Sequence, residues 1–355
     1  MPWIRNRQDE MSKYPFLTDA GQYLKDQGFT LEQLASDPDL QLIRDKAIHR
    51  IKSAVDGIPY ESAIKDNKAA TKDDESNERA LSIEVFSFLL AVVLLKLNGN
   101  NALIRKFSLA EARRAEEYLR KDLKEMSDED KVEEAKKIIF SLSSITVTEN
   151  KEKKDEFFIP VYDYLMHAVH FHEKEWKLIN RHVEDGKVFL TSEKLARLVR
   201  SELSNFISKK ITSAKSPSMV TEFKKPLEIL TSLAKKYYVP TMVSSEYPPC
   251  IKHAIDVMEK GENLPHSGRF LLGTYLFGVG KLIEQIAPLF KNAPDYNEKI
   301  TMYQLNHLKG SSGSNTEYKC PSCERVKSKD LCFATSDCDG IINPIQFKKK
   351  KTLNA

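Results

Sequence analysis

Four of the five cysteines in this 355-residue chain, Cys320, Cys323, Cys332 and Cys338, fall within nineteen positions of the stretch YKCPSCERVKSKDLCFATSDCDGIINP, residues 318–344. Thiols this dense either cross-link as disulfides or bind metal. The opening residues, MPWIRNRQDEMSKYPF, contain no apolar core of a secretion signal, so a reducing compartment is expected and the cluster reads as a metal site. Cys320-x2-Cys323 opens like a zinc ribbon, but the second Cys-x2-Cys pair expected about 15–20 residues later is missing. Cys332 and Cys338 follow instead after gaps of eight and five residues. The fifth cysteine, Cys250, sits in EYPPCIKHAI. There Pro248 and Pro249 fix an extended approach, and Ile251, Ile255 and Met258 predict a helix just beyond. A thiol in the first turn of a helix is placed for ligation because the N-terminal dipole favours thiolate; taken by itself, the position suits a plain buried cysteine better.

The elements that must position these residues read as helical. FTLEQLASDPDLQLIRDKAIHRI offers a capping box, Thr30 with Gln33 three residues on, in which two side chains answer the orphan N–H groups of a helix start. TSEKLARLVRSEL repeats the logic: Thr191 or Ser192 caps, and Leu195, Leu198, Val199 and Leu203 share one face. The longest apolar run, Val85 to Leu95, is eleven residues, short of the roughly twenty that span a membrane, and is expected to be a buried core helix. Strands are expected only at Ile145–Glu149 and Gly186–Leu190. The charged run NKEKKDE before Phe157 reads as a turn, and Asp66–Arg79 as loop or weak helix.

With 41% hydrophobic and 30% charged residues, the chain has the length and apolar content for about two domains. Residues 1–207 carry 33 Lys and Arg against 37 Asp and Glu; residues 208–240 carry 7 against 2. The Ser-, Lys- and Pro-rich stretch from Ser208 to Met219 lacks apolar periodicity and reads as a connector. The expected organisation is mainly α: a helical N-terminal domain with minor β elements (1–207), a linker (208–218), a mostly helical C-terminal domain (219–347) and a basic tail (348–355). Basic charge beside the C-terminal domain is compatible with nucleic acid. No Walker loop and no paired catalytic carboxylates appear; Asp128–Asp130 reads as the acidic start of a helix. His167, His170 and His172 do not share a helix face, which argues against a metal site there.

Taken together, PPCIKHAI, LPHSGRFLLGTYLFGVG, PDYNEKITMYQLNHLKG, YKCPSC, LC and CDGIINPIQF resemble, in order and spacing, the C-terminal iron–sulfur domain of the archaeal and eukaryotic DNA primase large subunit. Looser similarity runs upstream through YPFL, LIRKFSLAEARRAEEYL and VYDYLMHAVHFHEKEWKLINRHVEDGKVFL, with the archaeal form nearer. The resemblance implies a 4Fe–4S cluster held by Cys250, Cys323, Cys332 and Cys338, with Cys320 the spare thiol. Thiolates suit zinc as well as iron–sulfur, so a zinc-bound nucleic-acid-binding scaffold stands as the alternative.

The resemblance further implies an accessory subunit rather than an enzyme, partnered by the catalytic small subunit that residues 1–207 would dock. It implies contact with single-stranded DNA template, with the 5′ end of the RNA primer and with a nucleoside triphosphate, and a cytoplasmic location without a membrane. His266, Arg269 and Tyr303 match positions that contact the 5′ nucleotide or template, and His307 follows Tyr303 by one helical turn. Pro265 and Thr301 stand where the eukaryotic pattern has an arginine and a second tyrosine, so phosphate contact is expected to be thinner or to be made by other residues such as Lys252.

Overall fold

In a computed structural model the protein is described over residues 8–60, 74–124, 129–169, 171, 174–215, 221–236, 247–260, 262–291, 293, 296–312 and 316–347. Two compact units form: residues 1–167 with 182–236, and residues 168–181 with 237–355. The first contains α1 (Gln8–Lys13), α2 (Ala20–Asp26), α3 (Leu31–Ser36), α4 (Gln41–Asp56), α5 (Asp74–Asn98), α6 (Asn101–Lys124) and α7 (Glu129–Ser143). After a small sheet and α8 (Val161–Ala168) come α9 (Ser192–Leu198), α10 (Arg200–Ser213) and α11 (Lys224–Lys236). Thr30 caps α3 as the sequence predicts: its hydroxyl accepts from Gln33 N–H at 3.2 Å while Gln33 Oε1 accepts from Thr30 N–H at 2.8 Å. Thr191 caps α9 through its own side chain, which accepts from Lys194 N–H.

α5 is the core helix that the apolar run predicts. The segment Glu78–Asn98 has the length and hydropathy of a membrane span, yet 67% of its most apolar window is buried. Of the stretch expected as loop or weak helix, residues 66–73 lie outside the described residues and the remainder begins α5. Against this helix packs α4, whose Arg50 is fully buried. Arg50 reaches both carboxylate oxygens of Glu111, at 2.5 and 2.8 Å, and the hydroxyl of Ser87 at 3.1 Å. Burial pushes the Glu111 carboxyl up, but the guanidinium groups of Arg50 and Arg114 outweigh it and hold the group below its ordinary range.

The sheet has four antiparallel strands in the order β1 (Thr148–Glu149), β2 (Phe157–Pro160), β4 (Lys187–Leu190), β3 (Val183–Glu184). β1 and β4 lie where strands are expected. β2 and β3 lie outside the two expected strands: β3 is only two residues long, and β2 forms by pairing Phe157 with Leu190 and Ile159 with Val188. Asp185 and Gly186 close the β3–β4 hairpin, both at positive φ, 48° and 70°, a two-residue turn that Asp-Gly favours.

The expected connector at 208–218 differs from what forms. α10 continues to Ser213 because Ile207 and Ile211 are fully buried on one face. Beyond it α11 packs on α5 and α4 and so belongs to the first unit. The division falls between Lys236 and Tyr237. The predicted helix over 191–203 is also broken at Val199, the C-cap of α9, though its four apolar residues are all buried.

The second unit is built from α12 (Pro249–Glu259), α13 (His266–Gly278), α14 (Ile283–Phe290), α15 (Glu298–Lys309) and the single-turn α16 (Cys323–Lys327). Ile251, Met258, Leu272, Tyr275 and Ile286 are the centre of its core. α13 and α15 lie against each other at Gly273, where an added Cβ would stand 2.8 Å from Leu308 Cδ1. The remaining polypeptide, 316–347, has little regular structure. His170, His172 and the lysines 348–351 lie outside the described residues.

Candidate functional site

Two cavities in the second unit collect the residues singled out from the sequence. The first, about 210 Å³, is lined by Cys250, Cys323, Cys332 and Cys338. Cys250 is the second residue of α12, which Pro248 and Pro249 start. Cys323 opens α16, capped by Ser322, and its N–H donates to Ile342 O at 2.8 Å. Cys332 follows that helix in a stretch without regular structure, and Cys338 ends a short 3-10 turn. Phe333, beside Cys332, stacks on His253 of α12 with ring centres 3.7 Å apart. Cys320 is buried, 7% exposed, and is not among the lining residues.

Burial pushes the Cys250 thiol up to about 12, with the neighbouring Cys323 adding to the rise. Cys323 is raised by burial and then by Cys332 and Cys338, with Lys327 acting against them. The helix start does act on Cys250 in the expected direction, through the Ile251 N–H, but desolvation is larger. The expected thiolate-favouring effect of the helix start on Cys250 is therefore outweighed by burial, which favours the protonated thiol. The donor set, four sulfurs from four separate segments around one cavity, fits an iron–sulfur cluster. Among the described residues no three His, Cys, Asp or Glu side chains converge on a single metal ion. Four thiolates suit zinc as well as an iron–sulfur centre.

The second cavity, about 280 Å³, is lined by His266, Arg269, Tyr303 and His307 together with Phe270, Phe290, Thr301, Gln304, Leu305, Leu308 and Tyr318. His266 is the first residue of α13 and Arg269 lies one turn on. The Arg269 guanidinium is braced, Nε donating to Leu264 O at 2.8 Å and Nη2 to Asn263 Oδ1 at 2.6 Å. Tyr303 and His307 lie one turn apart on α15, ring centres 6.2 Å apart, and Tyr303 is 62% exposed. No carboxylate is among the described lining residues. A pocket with a fixed guanidinium, two imidazoles and open aromatic faces suits an anionic group joined to a flat ring. Thr301 lines the cavity, so the position of the absent tyrosine still faces it. Lys252, on α12, lines neither cavity. Tyr318, Phe270 and Gln304 are additions that the motifs do not single out; for Tyr318 the sequence signal is an aromatic residue two places before Cys320.

Comparison with known proteins gives one consistent result. Residues 241–353 match the family described as the C-terminal domain of the large subunit of eukaryotic and archaeal DNA primase. The chain is similar to the DNA primase large subunit PriL of Halobacterium salinarum, 28% identical over 352 residues, 96% of this chain and 92% of that one. It is 27% identical to PriL of Methanocella arvoryzae (96% of this chain, 87% of that one) and 27% identical to PriL of Methanosarcina mazei (97% and 88%).

Proposed function

We propose that this chain is a large subunit of the archaeal and eukaryotic DNA primase family, the accessory and non-catalytic subunit, and that it serves primer initiation. Its second unit binds a 4Fe–4S cluster through Cys250, Cys323, Cys332 and Cys338, and holds template and the initiating nucleotide in the cavity beside α13 and α15. The observation that carries the reading is that His266 and Arg269 of α13 and Tyr303 and His307 of α15 line one cavity free of carboxylates among its described residues. When bound, the cluster supplies a cross-link between four segments and a capacity for one-electron chemistry. Arg269 and His266 answer the charge of a 5′ triphosphate, and Tyr303 takes a base by stacking or hydrogen bonding. Catalysis of nucleotide joining belongs to the small subunit. The test is binding of a template annealed to a short primer, with a 5′ triphosphate or a 5′ hydroxyl. Wild type is expected to prefer the triphosphate by about tenfold, and Arg269→Ala to lose the preference. Equal affinity for both primers in wild type would remove the phosphate role.

The first unit carries the partner. In α8 Tyr164 is fully buried, while Tyr162, Leu165 and Met166 expose 71%, 49% and 57% of their surface. Apolar side chains left open at this spacing on one helix are what a protein partner covers, and the partner of a large subunit is the catalytic small subunit. Tyr162→Asp with Met166→Asp is expected to weaken its binding about tenfold while iron content and thermal unfolding stay unchanged. Unaltered binding would place the interface elsewhere.

A further inference from the structure

We infer that Tyr318 is a further binding residue of the α13–α15 cavity, placed there by the same strap of chain that carries Cys320 and Cys323, and that it stacks on the first nucleobase of the new strand. The inference rests on the proposed nucleotide role of that cavity. Tyr318 lines it, and its ring continues the row that α15 begins. Tyr303 and His307 are 6.2 Å apart with planes at 29°; His307 and Tyr318 are 5.2 Å apart at 33°. Phe270 of α13 meets the Tyr318 ring edge-on at 5.8 Å and 86°, which fixes its tilt. The aromatic wall is therefore made by two elements, a helix and a strap.

The strap is pinned at both ends. Tyr318 N–H donates to Leu308 O at 3.0 Å. Next to that bond Gly310, at φ +78°, lets the chain cross closely: a Cβ there would lie 2.8 Å from Glu317 N and 2.9 Å from the Thr316 carbonyl carbon. Both the left-handed backbone and the contact require glycine. At the far end Asn343 Nδ2 donates to Cys320 O at 3.0 Å and Pro321 O at 3.3 Å, and Cys323 N–H donates to Ile342 O at 2.8 Å. Between these anchors only Lys319 separates Tyr318 from Cys320, so a shift of the metal-side segment moves the ring. Since Arg269 and His266 face the same cavity, an anion they hold leaves its own base as the flat group within reach of Tyr318.

The experiment uses the full chain with its catalytic partner and a 5′-triphosphorylated primer whose first base is 2-aminopurine, annealed to template. Stacking quenches that base. Wild type and Tyr318→Phe are expected to quench it alike, and Tyr318→Leu to lose the quenching and bind about tenfold more weakly with iron content unchanged. Gly310→Ala should reproduce the Tyr318→Leu result without touching the ring. Equal quenching in Tyr318→Leu and wild type overturns the inference alone. Absence of quenching in wild type, together with no loss of affinity in Arg269→Ala, overturns the nucleotide reading of the cavity and this inference with it.

Discussion

Arg269→Ala, assayed in complex with the wild-type small subunit, is expected to reduce formation of the first dinucleotide roughly ten- to hundredfold and to leave extension of a preformed primer lacking the triphosphate unchanged. At initiation only two nucleotides and a template must be held together, and there is no duplex to supply affinity. A charge-assisted hydrogen bond lost at that stage costs about 1.5–3 kcal/mol. Extension of a primer without the triphosphate never makes the contact. Template–primer binding should also become less dependent on salt in the variant, because one phosphate contact has gone. Equal losses in initiation and extension would mean that Arg269, held by Leu264 O and Asn263 Oδ1, only fixes the start of α13.

Serine at Cys250, Cys323, Cys332 or Cys338 is expected to abolish iron binding and to lower the thermal unfolding of the second unit. Hydroxyl is a poor substitute for thiolate at iron. The four positions also lie far apart along the chain: Cys250 is at the start of α12 and Cys338 is near the end of the unit. Binding free energy of a centre that exists only in the folded state is folding free energy. Cys320→Ser should retain full iron, because Cys320 is not among the residues lining the cavity. Full iron in Cys338→Ser, or none in a folded Cys320→Ser, would overturn the assignment.

The residues that gather at the two cavities were legible because they sit at fixed offsets in short motifs. PPC puts Cys250 at a helix start, HSGR puts His266 and Arg269 on one face, and MYQLNH does the same for Tyr303 and His307. That Cys320 is the spare thiol is what the resemblance implies; in the structure Cys320 lies outside the lining of the cavity. Tyr318 was not legible, since its place depends on Leu308, Gly310 and Phe270, none of which is near it in a helical repeat.

In the first unit the capped helices followed from local signals, and α5 from its apolar run. Residues 208–213 of the expected connector are helical for a physical reason. Its Ser and Lys composition reads as solvated chain, yet Lys210 is half-buried and donates to Phe16 O and Thr18 O at 2.6 and 2.5 Å. Desolvation pulls that amine down to about 8. A lysine that serves two backbone carbonyls nearly two hundred residues away looks, in sequence, like any other lysine.

Elemental analysis of the anaerobically purified wild-type chain, read beside its visible absorption, decides the identity of the metal centre. A 4Fe–4S centre is expected to give a brown protein with about four iron atoms per chain and no stoichiometric zinc. A colourless protein with one zinc per chain would contradict it and make this domain a zinc-bound scaffold.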